Sequence, residues 1–148
     1  MEVVEHEQVD LDVILTESRI ITMHTPLTDE TRNLLAAAAF ARMPVGVIIV
    51  NAARGGVIDT QALVDALDSG KVYAAGLDVT APEPLDPEHT LLNRDNVVVT
   101  PHLASAPDKG RVRMYSGAIE NARQVLAGER PVDCVNPHVY EVLEGRSS

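Results

Sequence analysis

Three side chains of this 148-residue chain could run a reaction together: Arg54, Glu83 and His102. A guanidinium grips a carboxylate through two parallel hydrogen bonds, while an imidazole moves a proton at an oxygen on the neighbouring carbon. A carboxylate beside an imidazole selects its tautomer and favours the protonated ring, which can then hand a proton to a carbonyl being reduced. Glu83 and His102 are candidates for that acid/base pair, and Arg54 for the carboxylate anchor. Arg54 stands in "VIIVNAARGGVID", residues 47–59. A strand needs only Gly, Asn, Asp or Pro to turn, so an arginine there is surplus to folding. Gly55 and Gly56 behind it are expected to let a ligand approach the backbone.

These residues need a scaffold that gathers them. Apolar, strand-like runs begin at residues 20 ("IITM"), 47 ("VIIV"), 74 ("AAGL") and 97 ("VVV"), and helical periodicity fills the stretches between. Such a beat requires right-handed crossovers and a parallel sheet covered on both faces. His24, Asn51, Arg54, Asp78, Glu83 and His102 each follow a strand, so all six fall at the carboxyl edge of the sheet, where open α/β folds bind ligands.

The helix boundaries are read from end signals. Thr28 is expected to cap a helix over 29–43 that carries Asp29 and Glu30 in its first turn. Asp59 caps the next helix, which stacks Leu63, Ala66 and Leu67 and stops at Gly70. After the last strand, Val112, Tyr115, Ile119, Ala122 and Leu126 keep helical spacing despite Gly110 and Gly117. The domain is expected to run over 1–130. Residues 131–148 form a tail that needs something to lie against.

Composition narrows the partners. Twelve basic against 22 acidic side chains give a net charge of -10, which repels phosphate backbones and anionic bilayers alike, so no nucleic acid and no membrane is expected as partner. No apolar run reaches the roughly 20 residues that span a bilayer, and the acidic "MEVVEHEQVD" is unlike a signal peptide. Cys134 is the lone cysteine, and His6, His89 and His138 lack ligand partners at metal spacing. A cytoplasmic protein without a metal site is the expectation.

Four ordered motifs, "HTPLTDETRNLL", "GVIIVNAARGGVIDTQALVDAL", "GLDVTAPEPL" and "VVVTPHLASA", resemble the D-isomer-specific 2-hydroxyacid dehydrogenases over roughly residues 10 to 137. The resemblance implies an NAD- or NADP-dependent oxidoreductase acting on a small 2-oxo or 2-hydroxy acid. It assigns the carboxylate anchor to Arg54, the orienting acid to Glu83 and the acid/base to His102. Cofactor contacts fall by the same resemblance on Thr25, Ala52, Ala53, Arg54, Asp78, whose carboxylate would meet the nicotinamide amide, and on His102, Ala104 and Ser105. "GLDVTAPEPL" followed by "PHLASA" is more similar to glyoxylate/hydroxypyruvate reductases than to phosphoglycerate dehydrogenases.

Some features depart from that pattern. No pyrophosphate-binding G-x-G-x-x-G occurs in the 148 residues. The expectation is therefore a partial Rossmann-like, doubly wound α/β sheet lacking the first βαβ unit, with weak or no dinucleotide binding. Its exposed sheet edge would favour a homodimer or other self-association. Pro107 stands where the family often has threonine. A corepressor-like module that uses NADH for assembly, or an inactive fragment, are the alternative readings.

Overall fold

A computed structural model describes residues 7–104 and 108–140 of the chain. Helix α1 (Leu11–Glu17) leads to β1 (Ile20–Met23), α2 (Ala37–Arg42), β2 (Val47–Asn51), α3 (Thr60–Asp68), β3 (Val72–Leu77), β4 (Val97–Val99) and α4 (Asp108–Leu126). The four strands lie in the order β1-β2-β3-β4, and every pair is parallel. The four predicted strands and the parallel sheet are therefore present.

Alternation along the strands decides where the core sits. Ile21 and Met23, Val47 and Ile49, and Ala75 and Leu77 are buried beneath Leu15 of α1, Phe40 of α2 and Leu63 and Leu67 of α3. Each of these buried side chains larger than alanine contributes roughly 1.5–3 kcal/mol. The register puts Ile20, Ile48 and Ala74 in one row of the other face and Thr22, Val50, Gly76 and Val98 in the next. There Ile20 is 62% and Val98 64% exposed. Within residues 7–104, α1, α2 and α3 cover one face of the parallel sheet, and the other face is left exposed at its edge strands. The reason is local: α1, α2 and α3 carry their apolar stripes to the same side.

A difference from the sequence reading concerns residues 28–36. The helix expected over 29–43 begins only at Ala37. Before it, Asn33 adopts a left-handed φ of 52° and Leu35 forms a parallel bridge to Ile58. Leu35 accepts from the Asp59 amide at 3.1 Å, donates to the Val57 carbonyl at 3.1 Å and is only 1% exposed. Burying Leu35 against the segment after β2 outweighs the helix propensity of the surrounding sequence. Thr28 instead closes a turn, its amide donating to the Thr31 hydroxyl at 2.8 Å. Asp59 does cap α3, accepting from the Ala62 amide at 3.0 Å, and Gly70 takes a φ of 71° just beyond it.

The described chain separates into two compact units, divided between Ala104 and Ser105 where the sequence suggested 130/131. In the second unit the tail folds back along α4: the Val132 amide donates to Gln124 Oε1 at 3.1 Å, and Asn121 Nδ2 donates to Asp133 at 3.3 Å. Those bonds group the tail with its helix. The predicted stripe of α4 remains exposed, with Val112 at 64%, Tyr115 at 59% and Ile119 at 69%. Ser105 and Pro107 lie outside the described residues. No helix among the described residues is long and apolar enough to cross a membrane.

Candidate active site

The strand ends are tied laterally by peptide groups. The Asp78 amide donates to the Asn51 carbonyl at 2.9 Å, and the His102 amide donates to the Asp78 carbonyl at 2.9 Å. The segments beyond β2, β3 and β4 therefore leave the sheet at one rim, as the sequence implied. Past that rim, a different side chain shapes each segment.

After β2, the amide of Asn51 organises the turn. Its Nδ2 donates to the Arg54 carbonyl at 3.0 Å and its Oδ1 accepts from the Ala53 amide at 3.1 Å. Arg54 Nη1 donates to the Ala53 carbonyl at 2.6 Å, so the guanidinium folds back over its own turn and keeps its other donors. Gly55 has a different reason to be glycine than the one expected. A Cβ there would stand 1.9 Å from the Thr80 carbonyl oxygen, so it is the protein's own backbone that approaches. A Cβ at Gly56 would stand 3.1 Å from the Leu27 side chain. Thr60 completes the junction by donating its hydroxyl to the Ala81 carbonyl at 2.7 Å. The Arg54 turn and the loop that carries Glu83 are thereby packed against one another.

After β4, the chain wraps around the Asp78 carboxylate. Leu103 donates its amide to Oδ1 at 2.7 Å and Ala104 to Oδ2 at 2.8 Å, and the Thr100 hydroxyl donates to Oδ1. His102, held inside this wrap, has a left-handed φ of 55°, a conformation uncommon outside glycine and often found where function demands it. Its Nδ1 meets Glu83 Oε1 at 2.7 Å, which leaves Nε2 for a ligand. Both side chains are nearly half exposed, at 44% for His102 and 43% for Glu83.

Burial works against the charged form of Asp78, but the Thr100 hydroxyl, the Ala104 and Leu103 amides and the nearby His102 outweigh it and hold the carboxyl below its ordinary 3.8. The resulting stabilisation is present above pH 3.8 and is lost as pH falls through the lowered value. Asp78→Asn, whose Nδ2 cannot accept from Ala104, is expected to cost about 1 kcal/mol at neutral pH. Urea unfolding of both proteins at pH 7 and near pH 3 checks this. The gap should narrow in acid, and a gap that widens there would contradict the assignment.

Two hollows open on this rim. One, of about 510 Å³, is lined by Asp78, Thr80, Glu83, Thr100 and His102 together with Leu85 and Leu92. The other, of about 480 Å³, is lined by His24, Thr25, Ala52, Ala53 and Arg54. The structure thus brings Glu83 and His102 into contact and places Arg54 two strands away, about 10 Å at ordinary strand spacing. In the second hollow Thr25 Oγ1 is buried without a hydrogen-bond partner among the described residues, a deficit that a polar ligand atom would satisfy. His24 turns its Nε2 to the Thr22 hydroxyl at 2.9 Å. Sequence reasoning placed Asn51 at the rim without its bracing role and overlooked Thr60 and Thr100. An asparagine closing a β-branched run was the available signal, since its side chain bonds readily to backbone two residues on.

Comparison with known proteins fits this geometry. The family model described as D-isomer specific 2-hydroxyacid dehydrogenase, NAD binding domain, matches residues 1–104. The chain is 45% identical over 132 residues to glyoxylate/hydroxypyruvate reductase B of Escherichia coli (strain K12 / DH10B), covering 89% of this chain and 41% of that protein. Among solved structures it is similar to TT0316 protein from Thermus thermophilus, with TM-score 0.81, 46% identity and coverage of 86% of this chain and 40% of that one. It is also similar to D-lactate dehydrogenase with NAD+ from Lactobacillus jensenii, with TM-score 0.76, 34% identity and coverage of 84% and 41%. The chain therefore spans about 41% of the length of the curated relatives it matches.

Proposed function

Because the chain belongs to the D-isomer specific 2-hydroxyacid dehydrogenase family, in its NAD-binding domain, we propose that its rim supplies the acid/base pair and the carboxylate anchor for NAD(P)H-dependent reduction of a small 2-oxo acid such as glyoxylate or hydroxypyruvate. The observation that carries this reading is the 2.7 Å contact between Glu83 and His102 beside a hollow large enough for such a substrate. The lone cysteine and acidic balance suit a cytoplasmic setting.

The residues present fit a dinucleotide on one side. Thr25 offers a hydroxyl that is unpartnered among the described residues, and Ala52 and Ala53 line the same hollow with short side chains. Asp78 and the backbone after His102 complete the set, with the Leu103 and Ala104 amides held by the Asp78 carboxylate. When bound, the nicotinamide supplies a hydride to the substrate carbonyl carbon.

The chain's own residues perform the remaining work. Arg54 swings its guanidinium from the Ala53 carbonyl to the substrate carboxylate, where the charge-assisted pair is stronger than the bond it leaves. Glu83 accepts from His102 Nδ1–H and stabilises the protonated ring. His102 then transfers its Nε2 proton to the carbonyl oxygen as that oxygen gains electrons, yielding a hydroxyl group and a neutral imidazole.

Arg54→Ala tests the anchor. NADH oxidation by the full chain with glyoxylate is expected to show a rise in KM of about 10–100-fold, consistent with a lost charged hydrogen bond of roughly 1.5–3 kcal/mol. An unchanged KM for glyoxylate would remove Arg54 from the proposal.

A further inference from the structure

The geometry points to Asn51 as the positioning residue for Arg54, an assignment that rests on Arg54 anchoring the substrate carboxylate. Asn51 is 1% exposed and is the polar residue that joins an otherwise apolar set of buried side chains among the described residues. A buried amide is costly unless both of its ends are bonded. Here both are, and both bonds go to the turn that presents Arg54: the Ala53 amide to Oδ1 at 3.1 Å, and Nδ2 to the Arg54 carbonyl at 3.0 Å. The opposite amide orientation would set donor against donor and acceptor against acceptor, so the turn and the side chain determine each other.

Asn51 also reaches the other half of the rim through its own backbone, since its carbonyl accepts the Asp78 amide at 2.9 Å. Asp78 in turn holds the loop of His102. One residue thus sets the turn of the anchor relative to the strand next to the acid/base pair. A leucine would fill the same volume and satisfy neither the Ala53 amide nor the Arg54 carbonyl. The side-chain chemistry of Asn51, and not its bulk, is what positions the arginine.

Two substitutions in the full chain test this. Asn51→Ala removes both bonds. Asn51→Asp keeps the acceptor for Ala53 but faces the Arg54 carbonyl with an oxygen that can donate only when protonated. Amide hydrogen exchange at Ala53 reads the bracing without any dependence on catalysis, and KM for glyoxylate reads its consequence. In Asn51→Ala, exchange at Ala53 is expected to quicken about tenfold while Ile49 within β2 stays protected, and KM for glyoxylate to rise about tenfold. Asn51→Asp should keep exchange at Ala53 close to wild type while KM for glyoxylate rises at neutral pH, because only the bond to the Arg54 carbonyl is lost.

Unchanged exchange at Ala53 in Asn51→Ala overturns the assignment. So does equal acceleration at Ala53 and Ile49, which would make Asn51 a general core residue. If Ala53 responds as expected while neither Asn51→Ala nor Arg54→Ala alters KM for glyoxylate, the bracing stands and the anchoring role of Arg54 is what fails.

Discussion

His102→Asn is expected to slow NADH-dependent reduction of glyoxylate by about 10²–10⁴-fold, the usual contribution of a positioned general acid. Asparagine is the informative replacement because the backbone at this position is left-handed, with φ 55°, and asparagine tolerates that region better than most residues. The loop around the Asp78 carboxylate should therefore persist while the transferable proton is gone. The contact with Glu83 Oε1, 2.7 Å in the native chain, is the second diagnostic. Removing the acid by Glu83→Gln should reduce the rate less than removing the imidazole, and the double substitution should add little to His102→Asn, since Glu83 acts through the ring. Steady-state rates at saturating glyoxylate measure all three. A His102→Asn protein within threefold of wild type would end the acid/base proposal.

Gly55→Ala is expected to be the most damaging single methyl group in residues 7–104. The added carbon would lie 1.9 Å from the Thr80 carbonyl oxygen and 2.7 Å from the Ala81 nitrogen, both backbone atoms that cannot rotate away as a side chain would. The strand-end segments must separate, and the Thr60 hydroxyl bond to Ala81 at 2.7 Å separates with them. Overpacking of this kind costs about 3 kcal/mol, which for a chain of this size lowers the unfolding temperature by roughly 10 °C. Thermal denaturation followed by circular dichroism gives the value directly. Gly56→Ala is the control, because its nearest neighbour is the flexible Leu27 side chain at 3.1 Å. Equal stability of the two variants would show that the close approach to Thr80 carries no cost.

Much of the architecture was legible because strand runs, helix stops and the Asp59 cap are local signals. The four runs from residue 20 to residue 99 became the four strands, and the Gly70 stop fell where a positive φ was needed. The segment before α2 was misread since nothing local distinguishes Leu35 in "NLLAAAAF" from a helical leucine. Its extended form depends on Ile58, 23 positions further on. The pairing of Glu83 with His102 was legible from residue type and strand order. The purpose of Gly55 was not, because the atom it avoids belongs to Thr80 and no turn rule connects positions that far apart.

The lateral bonds from Asp78 to Asn51 and from His102 to Asp78 run through main-chain atoms. Every residue type except proline carries the donor they require. Side chains along this edge other than Asn51 and Asp78 can therefore be exchanged, changing what is bound or which proton moves, without severing the frame that aligns them.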